Sequence, residues 1–193
     1  KGEILTKICG VDEAGRGALA GELVVCGCAF NSDVSKLNLT DSKKLTPKKR
    51  EQIYTSLIQQ CDFITIYFNN KIIDEIGLSN CLRRALRVIK FHFREHQIIY
   101  DGNCNYGIDG IETIIKADAK IPQVSAASII AKVSRDLQMC RFDSFYPYFG
   151  YAKHKGYGVK AHIEALQKYG PNKLTRQSFK PKALEVSLFG EEI

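Results

Sequence analysis

The sequence predicts an α/β fold in which a single sheet carries helices on both faces. Three observations lead there: short apolar runs of strand type, amphipathic stretches of helical period between the later runs, and acidic residues standing after several of the runs. No internal repeat or linker-like low-complexity segment interrupts the 193 residues, a length that suits one domain better than two.

Ile4 to Val11 reads as a first strand ending at Asp12 and Glu13, and the turn Gly15-Arg16-Gly17 leads to a second strand, Leu23 to Phe30. Thr46-Pro47 opens a helix with proline in its first turn and Ile53, Leu57 and Ile58 on one face. A third strand follows from Cys61 to Phe68. Ser79 is placed to cap a helix whose apolar stripe is Leu82, Leu86, Ile89 and Phe93. Ile98 to Asp101 is a fourth strand stopping at Gly102, and Ile111 to Ala117 a fifth reaching Asp118. Ser125 begins a long small-residue helix, Ala126 to Cys140, and a last helix from about His162 to Tyr169 ends at Gly170-Pro171.

Composition narrows the function classes. The longest apolar stretches fall far short of the roughly 20 residues that span a bilayer, and Lys1 to Gly10 lacks the apolar centre of a secretory signal, so a cytoplasmic protein is expected. Seven cysteines form no C-x-x-C pair, and Cys9, Cys26, Cys28 and Cys61 lie in apolar runs, which assigns them to packing as reduced thiols. Lysine and arginine outnumber aspartate and glutamate by 28 to 21. The excess clusters in Lys43 to Arg50, Arg83 to Lys90 and Lys153 to Lys160, which fits a polyanionic partner or, equally, solvated helix faces.

The acidic residues carry the chemistry. Asp12, Glu13, Asp101 and Asp118 converge on one point if their strands are neighbours. Two ionised carboxylates about 4 Å apart repel by roughly 4 kcal/mol at an effective dielectric of about 20, so such a cluster takes up protons or binds cations. An all-oxygen ligand set suits Mg2+ or Mn2+ rather than zinc, and a pair of such ions can assist phosphodiester hydrolysis. Taken singly each has a plainer role: Asp118 beside Lys116 or Lys120 as an ion pair, Asp101 before Gly102 as a turn residue. Glu13 differs, because adjacent acids in one strand send one side chain toward the core.

Two other patterns fit less well. Gly15-Arg16-Gly17-Ala18-Leu19-Ala20 has the spacing of a dinucleotide fingerprint, but strand-type residues follow where a helix is required. His92-Phe93-Arg94-Glu95-His96 has the order of an inverted zinc-peptidase motif, yet its surroundings are basic and no third ligand stands out.

Five blocks occur in order: Gly10-Val11-Asp12-Glu13-Ala14-Gly15-Arg16-Gly17, Asp41-Ser42-Lys43-Lys44-Leu45, Asp101-Gly102-Asn103, Lys116-Ala117-Asp118-Ala119-Lys120 and Ser125-Ala126-Ala127-Ser128-Ile129-Ile130-Ala131-Lys132-Val133. Followed by His154-Lys155-Gly156-Tyr157, the set resembles ribonuclease HII over most of the chain.

The resemblance implies a ribonuclease H-like mixed sheet flanked by helices, with a small helical C-terminal extension from about residue 150 to 193 that helps bind substrate. It implies an endoribonuclease acting on RNA–DNA hybrids and on ribonucleotides embedded in duplex DNA, leaving 5′-phosphate and 3′-hydroxyl ends. Asp12, Glu13, Asp101 and Asp118 would be its metal-binding carboxylates. Gly15, Arg16, Gly17 and Tyr157 would read the RNA–DNA junction, since glycines admit the 2′-hydroxyl to the backbone and a tyrosine ring can stack on a sugar or base. Lys43 and Lys44 would contact backbone phosphates. Asp136 also matches a family position and is read as a supporting acid orienting a basic neighbour.

The family commonly has proline where this chain has Ala18 and Glu22. The few residues before Asp12 favour this family over the related ribonuclease HIII, which carries an additional N-terminal domain. Glu185-Val186-Ser187-Leu188-Phe189 resembles a sliding-clamp-binding peptide with Glu in place of the usual Gln, making Val186 to Phe189 a candidate clamp contact. A monomer is expected. The rival function is a non-catalytic nucleic-acid-binding module, which would need the basic patches but not the convergent acids.

Overall fold

The computed structural model describes residues 7–30, 39 and 45–180 of the chain. Five strands form one mixed sheet: β1 (Ile8–Ala14), β2 (Leu23–Phe30), β3 (Cys61–Phe68), β4 (Gln97–Asp101) and β5 (Ile111–Ile114), in the order β3-β2-β1-β4-β5. β1, β2 and β3 pair antiparallel, whereas β4 runs parallel to β1 and β5 parallel to β4. The helices are α1 (Pro47–Gln60), α2 (Asn70–Ile76), α3 (Leu78–His92), α4 (Pro122–Phe145), α5 (Tyr151–His154) and α6 (Lys160–Tyr169).

Side chains alternate across the strands, and the two sheet faces hold separate cores. On one face Cys9, Val11, Leu23 and Val25 meet Leu82, Leu86 and Ile89 of α3. On the other, Ala14, Val24, Cys26 and Cys28 meet Ile53 and Leu57 of α1 and a small-residue stripe of α4. Each fully buried aliphatic side chain contributes on the order of 1.5–3 kcal/mol. Gly10 sets how closely α4 lies on the sheet, because a Cβ there would stand 2.2 Å from the backbone of Gln123 and Val124. A third cluster packs Leu19 and Ala20 against Met139, Tyr151 and Leu166, joining the glycine turn to the C-terminal helices.

Several expected boundaries move. The first strand continues through Asp12 and Glu13, because its ladder with β2 runs on to Ala14 paired with Val24. The strand expected over Ile111 to Ala117 ends at Ile114, and Asp118 sits in a short 3-10 turn, Ala117–Ala119, entered through a left-handed Lys116. Ser79 does not cap α3; the capping position is Gly77, with no side-chain hydrogen bond. The long helix begins at Pro122 rather than Ser125 and reaches Phe145. α2 and α5 are additions to the elements expected from the sequence. Thr46 does cap α1, accepting from the Lys49 amide at 3.3 Å.

All seven cysteines are free, with Cys9, Cys26, Cys28 and Cys61 buried as expected. Among the described residues no helix is long and apolar enough to cross a membrane.

Candidate active site

Asp12 and Asp101 meet because β1 and β4 run parallel side by side. Their last paired residues are Val11 and Tyr100, and each aspartate is the next residue along its strand. The 3-10 turn after β5 delivers Asp118, and the same turn gives the amide of Ala117 to Asp101 Oδ1 at 3.1 Å. Asp12, Asp101 and Asp118 each offer a carboxylate oxygen within 4.8 Å of the others. Among the described residues this is the group of acids, histidines or cysteines that could hold a metal ion.

Asp12 is buried, and burial first and the neighbouring Glu13 second push its carboxyl well above the usual range, against a hydrogen bond from Ser128 and the Glu13 amide. Burial likewise raises Glu13, outweighing its contacts with Tyr100 and Arg16. Such a site stabilises a cation in place of protons. Oxygen ligands confined to a few ångströms on a rigid scaffold suit a hard divalent ion, so the residues present fit Mg2+ or Mn2+.

Glu13, adjacent to Asp12 in an extended strand, projects to the opposite sheet face. There its Oε2 accepts from the Tyr100 hydroxyl at 2.8 Å, and its Oε1 lies 3.5 Å from Arg16. The core-facing acid is thus met by a phenol and a guanidinium.

A cleft of about 370 Å3 opens over these acids, lined by Asp12, Glu13, Asp101, Ser128, Lys132 and Tyr157 among others. The glycine turn is joined to the Tyr157 segment. Ala18 bridges to Tyr157, and the amides of Leu19 and Ala20 donate to the carbonyl of Gly156 at 2.8 and 3.2 Å. Two wholly buried arginines fasten the turn from behind. Arg135 of α4 donates to the carbonyls of Ala20, Glu22 and Lys155, and Arg176 to those of Arg16 and Gly21. Burial and the nearby Arg135 bring Arg176 down to about 10, so it remains charged at neutral pH.

Two stacked histidines, His154 and His162, complete the support, with ring centroids 4.6 Å apart. Gly156 donates its amide to His154 Nδ1 at 3.2 Å, so the ring proton sits on Nε2, which faces the carbonyl of Phe149. His162 Nδ1 donates to the carbonyl of Tyr157 at 3.0 Å. Tyr157 itself is half-buried, its ring 5.2 Å from the Arg135 guanidinium and 5.6 Å from Lys132 Nζ.

Of the residues singled out from sequence, the structure brings Asp12, Asp101 and Asp118 together, with Glu13 outside that group but lining the same cleft as Tyr157; Gly15, Arg16 and Gly17 lie in the turn after β1, which meets Tyr157 through the bridge at Ala18. Asp136 pairs with Lys132 at 2.8 Å, one turn along α4. Lys43, Lys44 and the segment Val186 to Phe189 lie outside the described residues. Tyr100, Ser128, Lys132, Arg135, Arg176, His154 and His162 gain roles that the sequence patterns do not assign. The zinc-peptidase pattern dissolves: α3 ends at His92, leaving Glu95 and His96 beyond it, and His92 faces Asp62 at 3.5 Å. The dinucleotide fingerprint fails as expected, since β2 follows the glycine turn.

The sequence model of the Ribonuclease HII family matches residues 9–182. A curated ribonuclease HII of Campylobacter concisus is 56% identical over 187 residues, spanning 96% of this chain and 100% of the relative. In three dimensions the chain superposes on RNase HII of Archaeoglobus fulgidus, solved as a PCNA complex, with a TM-score of 0.79 at 26% identity, covering 91% of this chain and 96% of that one. Ribonuclease H2 of Pyrococcus horikoshii gives 0.75 at 28% identity, covering 96% of this chain and 100% of that one. The expected ribonuclease H-like sheet is therefore present, and the chain belongs to the ribonuclease HII family, making it a metal-dependent endoribonuclease that cuts RNA in RNA–DNA hybrids.

Proposed function

We propose that Asp12, Glu13, Asp101 and Asp118 hold the divalent metal, Mg2+ or Mn2+, and that the site also incises duplex DNA at single embedded ribonucleotides. The observation that carries this reading is the convergence of the Asp12, Asp101 and Asp118 carboxylates within 4.8 Å, the first two of them lining a cleft together with Tyr157. When bound, the metal would supply charge neutralisation at the scissile phosphate and a water that gives up its proton readily enough to become the nucleophile.

The chain's own residues do the rest. Ser128 and the Glu13 amide hold Asp12, and the Ala117 amide holds Asp101, so these carboxylates stand preoriented. Tyr157 offers a ring face to the sugar at the junction, stiffened by the two cations beside it. A Cβ on Gly17 would meet nothing within 4 Å, so the backbone there is open to a 2′-hydroxyl. Gly15 and Arg16 present the same turn, and Lys43 and Lys44 would meet phosphates further along the duplex. Asp136 keeps Lys132 directed along the cleft. The segment from about residue 150 acts as the substrate-binding part of a single domain. Attack on the phosphodiester would leave 5′-phosphate and 3′-hydroxyl ends.

A. fulgidus RNase HII was solved with PCNA. By analogy Val186 to Phe189 would dock on a sliding clamp. The same reading has the chain act as a monomer in the cytoplasm. The rival reading as a non-catalytic binding module finds no support in the structure.

The test is incision of an end-labelled duplex carrying one ribonucleotide, beside an all-DNA duplex, with each metal. Cleavage of the first only, with phosphate on the downstream 5′ end, is expected. Cleavage of long hybrids but not of the single ribonucleotide would limit the activity to RNA tracts.

A further inference from the structure

The Tyr100 hydroxyl donates to Glu13 Oε2 at 2.8 Å, across 87 residues of sequence. The contact follows from register. Val11 pairs with Tyr100, both side chains enter the core on the α3 face, and Glu13 projects from that face two residues after Val11. Tyr100 is 1% exposed and the Glu13 side chain 9%. The ring has little freedom: a Cβ on Gly102 would stand 2.9 Å from its Cε1, and the Tyr106 ring packs at 6.3 Å. The glycine after Asp101 thus leaves room for the phenol under the acidic site. The remaining Glu13 oxygen faces Arg16 of the glycine turn.

We propose that Tyr100 is a positioning residue for Glu13: its hydroxyl fixes one carboxylate oxygen, so that the carboxylate stands in a single orientation between the acidic site and the junction-reading turn. A phenol held this way acts as outer support for a metal-holding carboxylate, a role that ordinarily matters about 10–100-fold in affinity or activity. The proposal rests on the reading of Glu13 as one of those carboxylates. If Tyr100 served only as a core aromatic, phenylalanine would replace it without effect, because the ring and its contacts with Gly102 and Tyr106 persist.

Tyr100→Phe and Glu13→Gln, singly and combined, test this with two readouts: Mn2+ affinity of the free enzyme by calorimetry, and kcat and KM on the ribonucleotide duplex. Tyr100→Phe is expected to weaken Mn2+ binding about 10-fold and lower kcat by about 10-fold or more, with KM within about twofold. Added to Glu13→Gln, it is expected to change neither further. Parental behaviour of Tyr100→Phe, or an equal effect with and without Glu13→Gln, overturns the proposal. Parental metal binding and cleavage in Glu13→Gln alone overturns the reading of Glu13, and the positioning role with it.

Discussion

Arg135 occupies the space that a side chain on Gly15 would need: a Cβ at Gly15 would lie 2.0 Å from Arg135 Nε. Gly15 also has a positive φ of 90°, so two independent constraints exclude a larger residue. The guanidinium that fills this space holds the carbonyls of Ala20, Glu22 and Lys155, and the glycine turn is thereby a rigid part of the fold.

Gly15→Ala and Gly17→Ala are expected to fail differently. The first meets a wrong backbone conformation and a clash, and destabilises by about 2–4 kcal/mol. The second meets nothing within 4 Å, so its melting temperature stays near the parent's, while incision at a single ribonucleotide falls about tenfold through lost approach to the 2′-hydroxyl. Thermal melting and initial-rate incision, run on both variants, separate the two.

Replacing Arg135 with Met keeps most of the side-chain volume but leaves the carbonyls of Ala20, Glu22 and Lys155 without their donors. A loss of about 3 kcal/mol or more is expected in urea unfolding. Because the turn and the Tyr157 loop are both released, KM for the ribonucleotide duplex should rise with it. An unchanged unfolding midpoint would place the strength of this turn elsewhere.

Stability should depend on pH through His162. Burial, with the adjacent His154 adding to it, lowers His162 below its ordinary value near 6.5, against the opposing carbonyls of Tyr157 and Gly156. Its Nε2 is buried without a hydrogen-bond partner, so the folded ring resists the second proton. The unfolded chain takes that proton as pH falls through about 6.5, so this stability is full above that pH and is lost progressively down to the lower folded value. Melting curves at about pH 7.5 and 5.5, on either side of that midpoint, should show a smaller drop in His162→Gln, whose amide can still reach the Tyr157 carbonyl. An identical drop in parent and variant would assign the acid sensitivity to other groups.

Much of this fold was legible in the chain. β2 and β3 end where their apolar runs end, because flanking polar and turn residues bound them. β1 runs further than its hydrophobicity, since ladder pairing with β2 does not stop at an acid. α2 and α5, with 7 and 4 residues, are too short to display an apolar period. The acids were visible as residues and as family blocks, but their meeting depends on strand order, which no local pattern contains. The same holds for Tyr100 under Glu13 and for Arg135 and Arg176, whose carbonyl partners lie far off in sequence. A fully buried arginine leaves no periodic trace; Arg135 was marked only by standing just after a recognisable block.

On the proposed reading, the acidic group at the ends of β1 and β4 holds the metal needed to cut RNA. Asp101→Asn tests it most directly, because the amide preserves shape and can still accept from Ala117 while removing the charge. With Mg2+ or Mn2+, incision of a duplex carrying one ribonucleotide is predicted to fall by about 1,000-fold or more, about 4 kcal/mol, while the variant still binds that duplex. Incision near the parent rate would move the metal, or the chemistry, to other residues.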